Sequence, residues 1–169
     1  MDLSFPVIEI KNSKDALANG IYHGEEYRSG IIELFKIRKE LLLEKNQKIK
    51  NNLKELALEQ FEISRIFSKD ISEEMSGIAK GSNLNIEDIV LLNNYTDFRD
   101  IQLIDEGCST VQSINHLDSV AGQTWDMHRS AKNFVSIIKI NRSDNRPAQI
   151  LFSLVGCVGM MGFNSHNLM

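Results

Sequence analysis

Apolar residues recur at three- and four-residue steps through much of the first hundred residues, then at alternate positions to the end. In the stretch 25–45, Ile31, Leu34, Phe35, Arg38 and Leu42 fall on the helical spacing with charged residues between them. A second helix is predicted over 48–67, where Leu53, Leu56, Phe61 and the residues 63–67 supply the apolar positions. A third fits 71–80, with Lys80 in a favourable last turn and Gly81 as its terminator. Asn85 then caps a fourth helix, which carries Glu87 and Asp88 in its first turn and runs to about residue 96. Upstream, Val7 to Ile10 reads as a short strand after Pro6, and Asn19-Gly20 as a turn. After Asp105 the period becomes two. Strands are predicted over 109–114, 120–125, 134–140, 149–155 and 160–163, with turn clusters at 115–118 and 141–145. The expected class is α+β, a helical N-terminal part followed by a meander of antiparallel strands.

Composition narrows the function classes. The chain has 169 residues, 42% hydrophobic and 25% charged, with net charge −4. That length suits one domain with a core. The charge balance lacks the basic excess of a nucleic-acid binder, and the Lys- and Asn-rich segment 45–54 is flanked by acidic residues, as a solvated loop would be. No apolar run approaches the ~20 residues that span a bilayer, and the N-terminus lacks a signal-peptide pattern. Two cysteines, Cys108 and Cys157, make no disulfide framework, which favours a reducing, cytoplasmic setting. His23 and His166 are too scattered, with too few thiols, for a metal site, and no metal or cofactor is expected.

The chemistry concentrates at Gly107-Cys108-Ser109-Thr110, where the helical pattern gives way to strands. Gly107 leaves its carbonyl open to attack by the following thiol. If that peptide bond breaks, Cys108 becomes a chain terminus bearing both a thiol and an α-amine. The amine titrates about two units below a lysine, so more of it is free base at neutral pH. A hairpin from 109 to 125 brings Asp126 back toward Cys108, where a carboxylate can bind the freed ammonium or orient the thiol. Ser109, Thr110 and Trp125 are candidate pocket residues. Asp105 and Glu106 precede the cut site and are candidates for proton handling during processing. Cys157, set among Val and Gly, reads as a buried inert thiol.

Several pieces in order carry a family resemblance. They are His23-Gly24-Glu25, the stretch from Glu73 to Gly81, Ile86-Glu87-Asp88-Ile89, Leu91-Leu92-Asn93, Gly107-Cys108-Ser109-Thr110, Gly122-Gln123-Thr124-Trp125-Asp126, and Gly159 with Gly162-Phe163-Asn164-Ser165. From about residue 20 to the end the chain resembles the acyl-coenzyme A:6-aminopenicillanic acid acyltransferase family of cysteine N-terminal-nucleophile proteins. The resemblance implies a precursor that cuts itself before the cysteine and a four-layer αββα sandwich. Residues 1–107 then correspond to the small subunit and 108–169 to the beginning of the large one, together one incomplete domain. It implies Cys108 as nucleophile, Asp126 as an active-site residue, Gly107-Cys108 as the autocleavage site, and a small-molecule amide or acyl-thioester substrate. An asparagine oxyanion donor and an arginine belong to the part of the large subunit that has no counterpart here. The chain ends directly after a strand-like segment, as one stopped mid-fold would. Thr124 stands where the family usually has asparagine before Trp-Asp.

Two other readings stay open. One is a non-catalytic binding protein derived from that fold, which pairs its sheet face and edges with a partner or with a second copy in a homo-oligomer. The other is an uncut Cys-His hydrolase using His116 or His128.

Overall fold

The computed structural model describes residues 5–10, 15–98, 108–115, 119–142, 147–166 and 168. Its first helix, α1 (Ala16–Glu26), starts where the Asp15 carboxylate accepts from the Ala18 N–H at 2.9 Å. Asn19-Gly20, expected as a turn, lies inside this helix. Gly20 serves packing rather than chain reversal. Together with Gly24 it forms a groove against Gly77 and Gly81 of α4 (Lys69–Ser82), and the two backbones touch. An ideal Cβ on Gly20 would sit 2.1 Å from the Glu74 carbonyl oxygen, and one on Gly77 2.2 Å from that of Leu17. Two glycines four residues apart on each helix make this approach sterically open. Gly81 is therefore also an interior helix residue and not the terminator. Helix α4 ends at Asn83, whose φ of 61° closes the left-handed cap.

Helix α2 (Arg28–Lys45) buries Ile31, Leu34, Phe35, Arg38 and Leu42, the stripe legible in the sequence. A 3-10 turn at Gln47–Ile49 precedes α3 (Leu53–Phe67), which buries Leu53 and Ala57 but leaves Ile63, Ile66 and Phe67 exposed. In α5 (Ile86–Asn93) the backbone N–H of Asn85 donates to the Asp88 carboxylate at 3.1 Å, one half of a capping box. Residues Ile89 to Leu92 are all buried, and a short α6 (Tyr95–Phe98) follows.

The expected single meander divides into two sheets. Strands β2 (Thr110–Ile114) and β3 (Ser119–Gln123) form a separate antiparallel ribbon. After it a 3-10 segment, Arg129–Phe134, seats Ala131 and Phe134 in the core and starts β4 (Val135–Ile140) elsewhere. Strand β4 pairs antiparallel with β5 (Gln149–Leu154), and β5 with β6 (Met161–Asn164). The free edge of β4 takes β1 (Val7–Ile10) in parallel, with Ile8 opposite Ile138, so the sheet order is β1-β4-β5-β6. Parallel pairing arises because the helices intervene between the two strands and return the chain in the same direction. Ile8, Ile10 and Ile138 form a small satellite cluster. The main core lies between α2, α4 and α5 and the residues that open β4 and close β5. On the β2–β3 ribbon Val111, Ile114 and Val120 are each about two-thirds exposed or more (68%, 71% and 68%). Among the described residues no helix is long and apolar enough to cross a membrane.

Candidate active site

The β2–β3 register pairs Thr110 with Gln123. One step further, Ser109 and Thr124 continue the ladder. The Thr124 N–H donates to the Ser109 carbonyl at 2.9 Å, and the Thr124 hydroxyl accepts from the Ser109 N–H at 2.9 Å. Thr124 thus closes the ribbon with its own side chain. Continuing the pairing sets Cys108 against Trp125 and carries the chain on to Asp126.

Cys108, Trp125, Asp126 and Met127 line one cleft of about 500 Å³. Its other walls come from Arg38 of α2, Ser64 of α3, Ile71 and Met75 of α4, the segment from Asn93 to Thr96, and Val158 to Met160. Cys108 and Asp126 are both exposed, and Asp126 makes no ion pair with a described residue. Trp125 is half-buried, stands edge-on to the Phe152 ring at 5.1 Å, and serves as wall and packing at once.

Other candidates fall elsewhere. Ser109 and Thr110 belong to the ribbon and do not line the cleft. Gly107, Asp105, Glu106 and His116 lie outside the described residues. His128 caps the 3-10 segment, its Nδ1 accepting from the Ser130 N–H at 3.3 Å, and it too is absent from the cleft walls. Asn164 accepts the N–H groups of His166 and Leu168 through its side-chain oxygen, a turn-closing role. Among the described residues no cluster of His, Cys, Asp and Glu has the makings of a metal site.

Arg38 is the cleft residue whose role the sequence concealed. In the sequence residue 38 stands only as a step in a helical stripe. A charged residue on an otherwise apolar stripe was the available signal. Arg38 is 3% exposed. It donates to the Leu92 carbonyl, stacks 4.9 Å from the Tyr95 ring centroid, and approaches the sulfurs of Met127 (3.7 Å) and Cys157 (3.9 Å). Burial pushes the Cys157 thiol up to about 11 despite the nearby Arg38 charge, so this fully buried sulfur stays a protonated core group.

Two side chains hold the loop after β5, whose Val158 lines the cleft, against the helices. Asn93 donates to the Gly156 carbonyl at 3.1 Å and accepts from the Val158 N–H at 2.9 Å, tying the loop after β5 to α5. His23, 1% exposed, accepts the Gly156 N–H at 2.9 Å through Nε2 while Gly156 holds φ at 82°. Desolvation drives the His23 pKa down from 6.5 to about 4. The unfolded chain therefore binds the extra proton first. The histidine's contribution to stability is complete above pH 6.5 and declines as pH falls toward 4, by on the order of 3 kcal/mol in all. Glu74, raised by burial from 4.5 to about 7, works in the opposite sense, gaining its proton in the folded state. Comparing urea midpoints at several pH values for the wild type and His23→Gln isolates the histidine. The variant should lose most of the decline between 6.5 and 4, and an unchanged profile would dismiss this account.

No family model matches the chain. It is 28% identical over 148 residues to a protein of Emericella nidulans named acyl-coenzyme A:6-aminopenicillanic-acid-acyltransferase 40 kDa form. The match covers 86% of this chain and 41% of that protein, so the chain spans about two-fifths of its relative's length. Over that stretch, which takes in helices, ribbon or sheet alike, the chain is distantly related to the acyl-coenzyme A:6-aminopenicillanic acid acyltransferases.

Proposed function

We propose that this chain is the leading part of a self-processing cysteine N-terminal-nucleophile amide hydrolase or acyltransferase, with Cys108 as nucleophile. In processing, the Cys108 sulfur bonds to the Gly107 carbonyl carbon, the Gly107–Cys108 C–N bond breaks, and the thiol proton ends on the departing α-amine. Water then cleaves the resulting thioester and frees the Gly107 carboxylate. In turnover the same sulfur displaces the amine or thiol of a small acyl substrate, and water or an acceptor amine takes the acyl group from it. Asp126 binds the ammonium of the processed Cys108 and keeps the nucleophile turned toward the cleft. The single observation that supports this reading is the shared cleft. An exposed cysteine that follows a glycine lines the same cavity as a carboxylate with no ion pair among the described residues, and the sequence around them is related to an acyltransferase.

Intact-mass measurement on a chain extended to the length of the relative tests it. The expected result is two fragments divided between Gly107 and Cys108, with Cys108→Ala leaving a single uncut chain. Cys157→Ala should still be cut, because that thiol is fully buried. Cleavage that persists in Cys108→Ala would refute the assignment.

A further inference from the structure

Arg38 is a buried cation that meets no anion among the described residues. Its neighbours are one carbonyl, two sulfurs and an aromatic face, and it forms no ion pair among the described residues. Sulfur is a weak acceptor, and a guanidinium carries five N–H donors. Holding such a charge out of water without a counter-charge is unfavourable, and the deficit is removed when an anion arrives. The guanidinium also lines the cleft that contains Cys108. Of the two, Cys108 is exposed and Arg38 only 3% exposed, with apolar Ile71, Met75 and Met127 also among the walls. Arg38 has no hydrogen bond to the Cys108 sulfur, so the thiol is not the group it holds.

We propose that Arg38 is a specificity-determining residue of the cleft. It binds the carboxylate at the far end of an acyl compound whose reacting carbonyl lies at Cys108 and whose apolar chain runs between the two. This rests on the reading of the cleft as the acyl-transfer site. The planar fork suits a carboxylate in two-point contact, and the Tyr95 ring and Met127 thioether hold its plane without neutralising it.

Competition against alkylation of Cys108 tests this in the 169-residue chain. Iodoacetamide alkylates the sulfur, forming a C–S bond as iodide leaves and the thiol proton passes to buffer. Peptide mass mapping reads the rate at Cys108, with buried Cys157 as the slow internal standard. Hexanoate should halve the rate at a concentration about tenfold lower than hexanamide, the gain of a charge-assisted hydrogen bond over a neutral one. Hexylamine should protect least. Arg38→Met should erase the preference, and Arg38→Lys should keep part of it. Equal protection by hexanoate and hexanamide in the wild type overturns the proposal, as does a preference that survives in folded Arg38→Met. If Arg38→Met fails to fold, the wild-type comparison of acid, amide and amine still decides. In Cys108→Ala, hexanoate should raise the melting temperature more than hexanamide does. That difference is independent of any nucleophilic role of the sulfur, and its absence counts against Arg38 alone.

Discussion

Gly77→Ala is expected to destabilise the protein by about 3 kcal/mol or more, a large share of the roughly 5–15 kcal/mol that holds an ordinary domain folded. The new Cβ would stand 2.2 Å from the Leu17 carbonyl oxygen and 2.8 Å from the Gly20 Cα, so backbone and not a pliable side chain must move. The helix-propensity gain of alanine, about 1 kcal/mol, does not offset this. Gly20→Ala meets the same obstacle from the other side, with the Glu74 carbonyl at 2.1 Å. Gly30→Ala is the control. It too lies in a helix, but its nearest obstacle is a Val155 methyl at 3.4 Å, so it should be neutral or stabilising by up to about 1 kcal/mol. Urea unfolding of the three variants reads the comparison. A Gly77→Ala protein as stable as Gly30→Ala would show that α1 and α4 do not meet at backbone contact.

Asp126→Asn should slow cleavage before Cys108, and later acyl transfer, by about a hundredfold or more in a chain extended to its relative's length. The substitution keeps size and hydrogen-bonding reach while removing the charge. Any loss therefore reports electrostatics and proton handling at the nucleophile rather than packing. Asp126 is exposed and makes no ion pair with a described residue, so the fold should tolerate the change with less than about 0.5 kcal/mol lost. Time-resolved intact mass, set beside the melting temperature, separates the two effects. A rate within twofold of wild type would remove Asp126 from the chemistry.

How legible the site was varied with the range of the interactions that build it. The α2 stripe Ile31, Leu34, Phe35, Arg38 and Leu42 was visible because helical periodicity is local, and all five positions are buried. The Asn85 cap was visible for the same reason. The return of Asp126 toward Cys108 followed from hairpin register, again a matter of neighbouring residues. The glycines misled. Asn19-Gly20 and Gly81 carry strong turn and terminator signals on their own, and only the partner helix reveals that the missing side chains make room for another backbone. The single meander failed because alternation marks strands without saying which strands pair. It left unseen that β1 would take the edge of β4 and the β2–β3 ribbon would stand apart.

Period and hairpin register were therefore settled along the chain itself, and with them helices α2 to α5, the strands, and the return of the ribbon that puts Cys108 and Asp126 in one cleft. Those features depend on side chains a few residues apart, whose relation is the same in any fold. The glycine contact of α1 with α4, the parallel β1 edge, and the place of buried Arg38 among the cleft walls were decided only in three dimensions. Each joins residues far apart in the chain: Gly20 with Gly77, Ile8 with Ile138, Arg38 with Leu92 and Met127. Burial and long-range pairing are properties of what lies opposite a residue, and the linear order does not contain that neighbour.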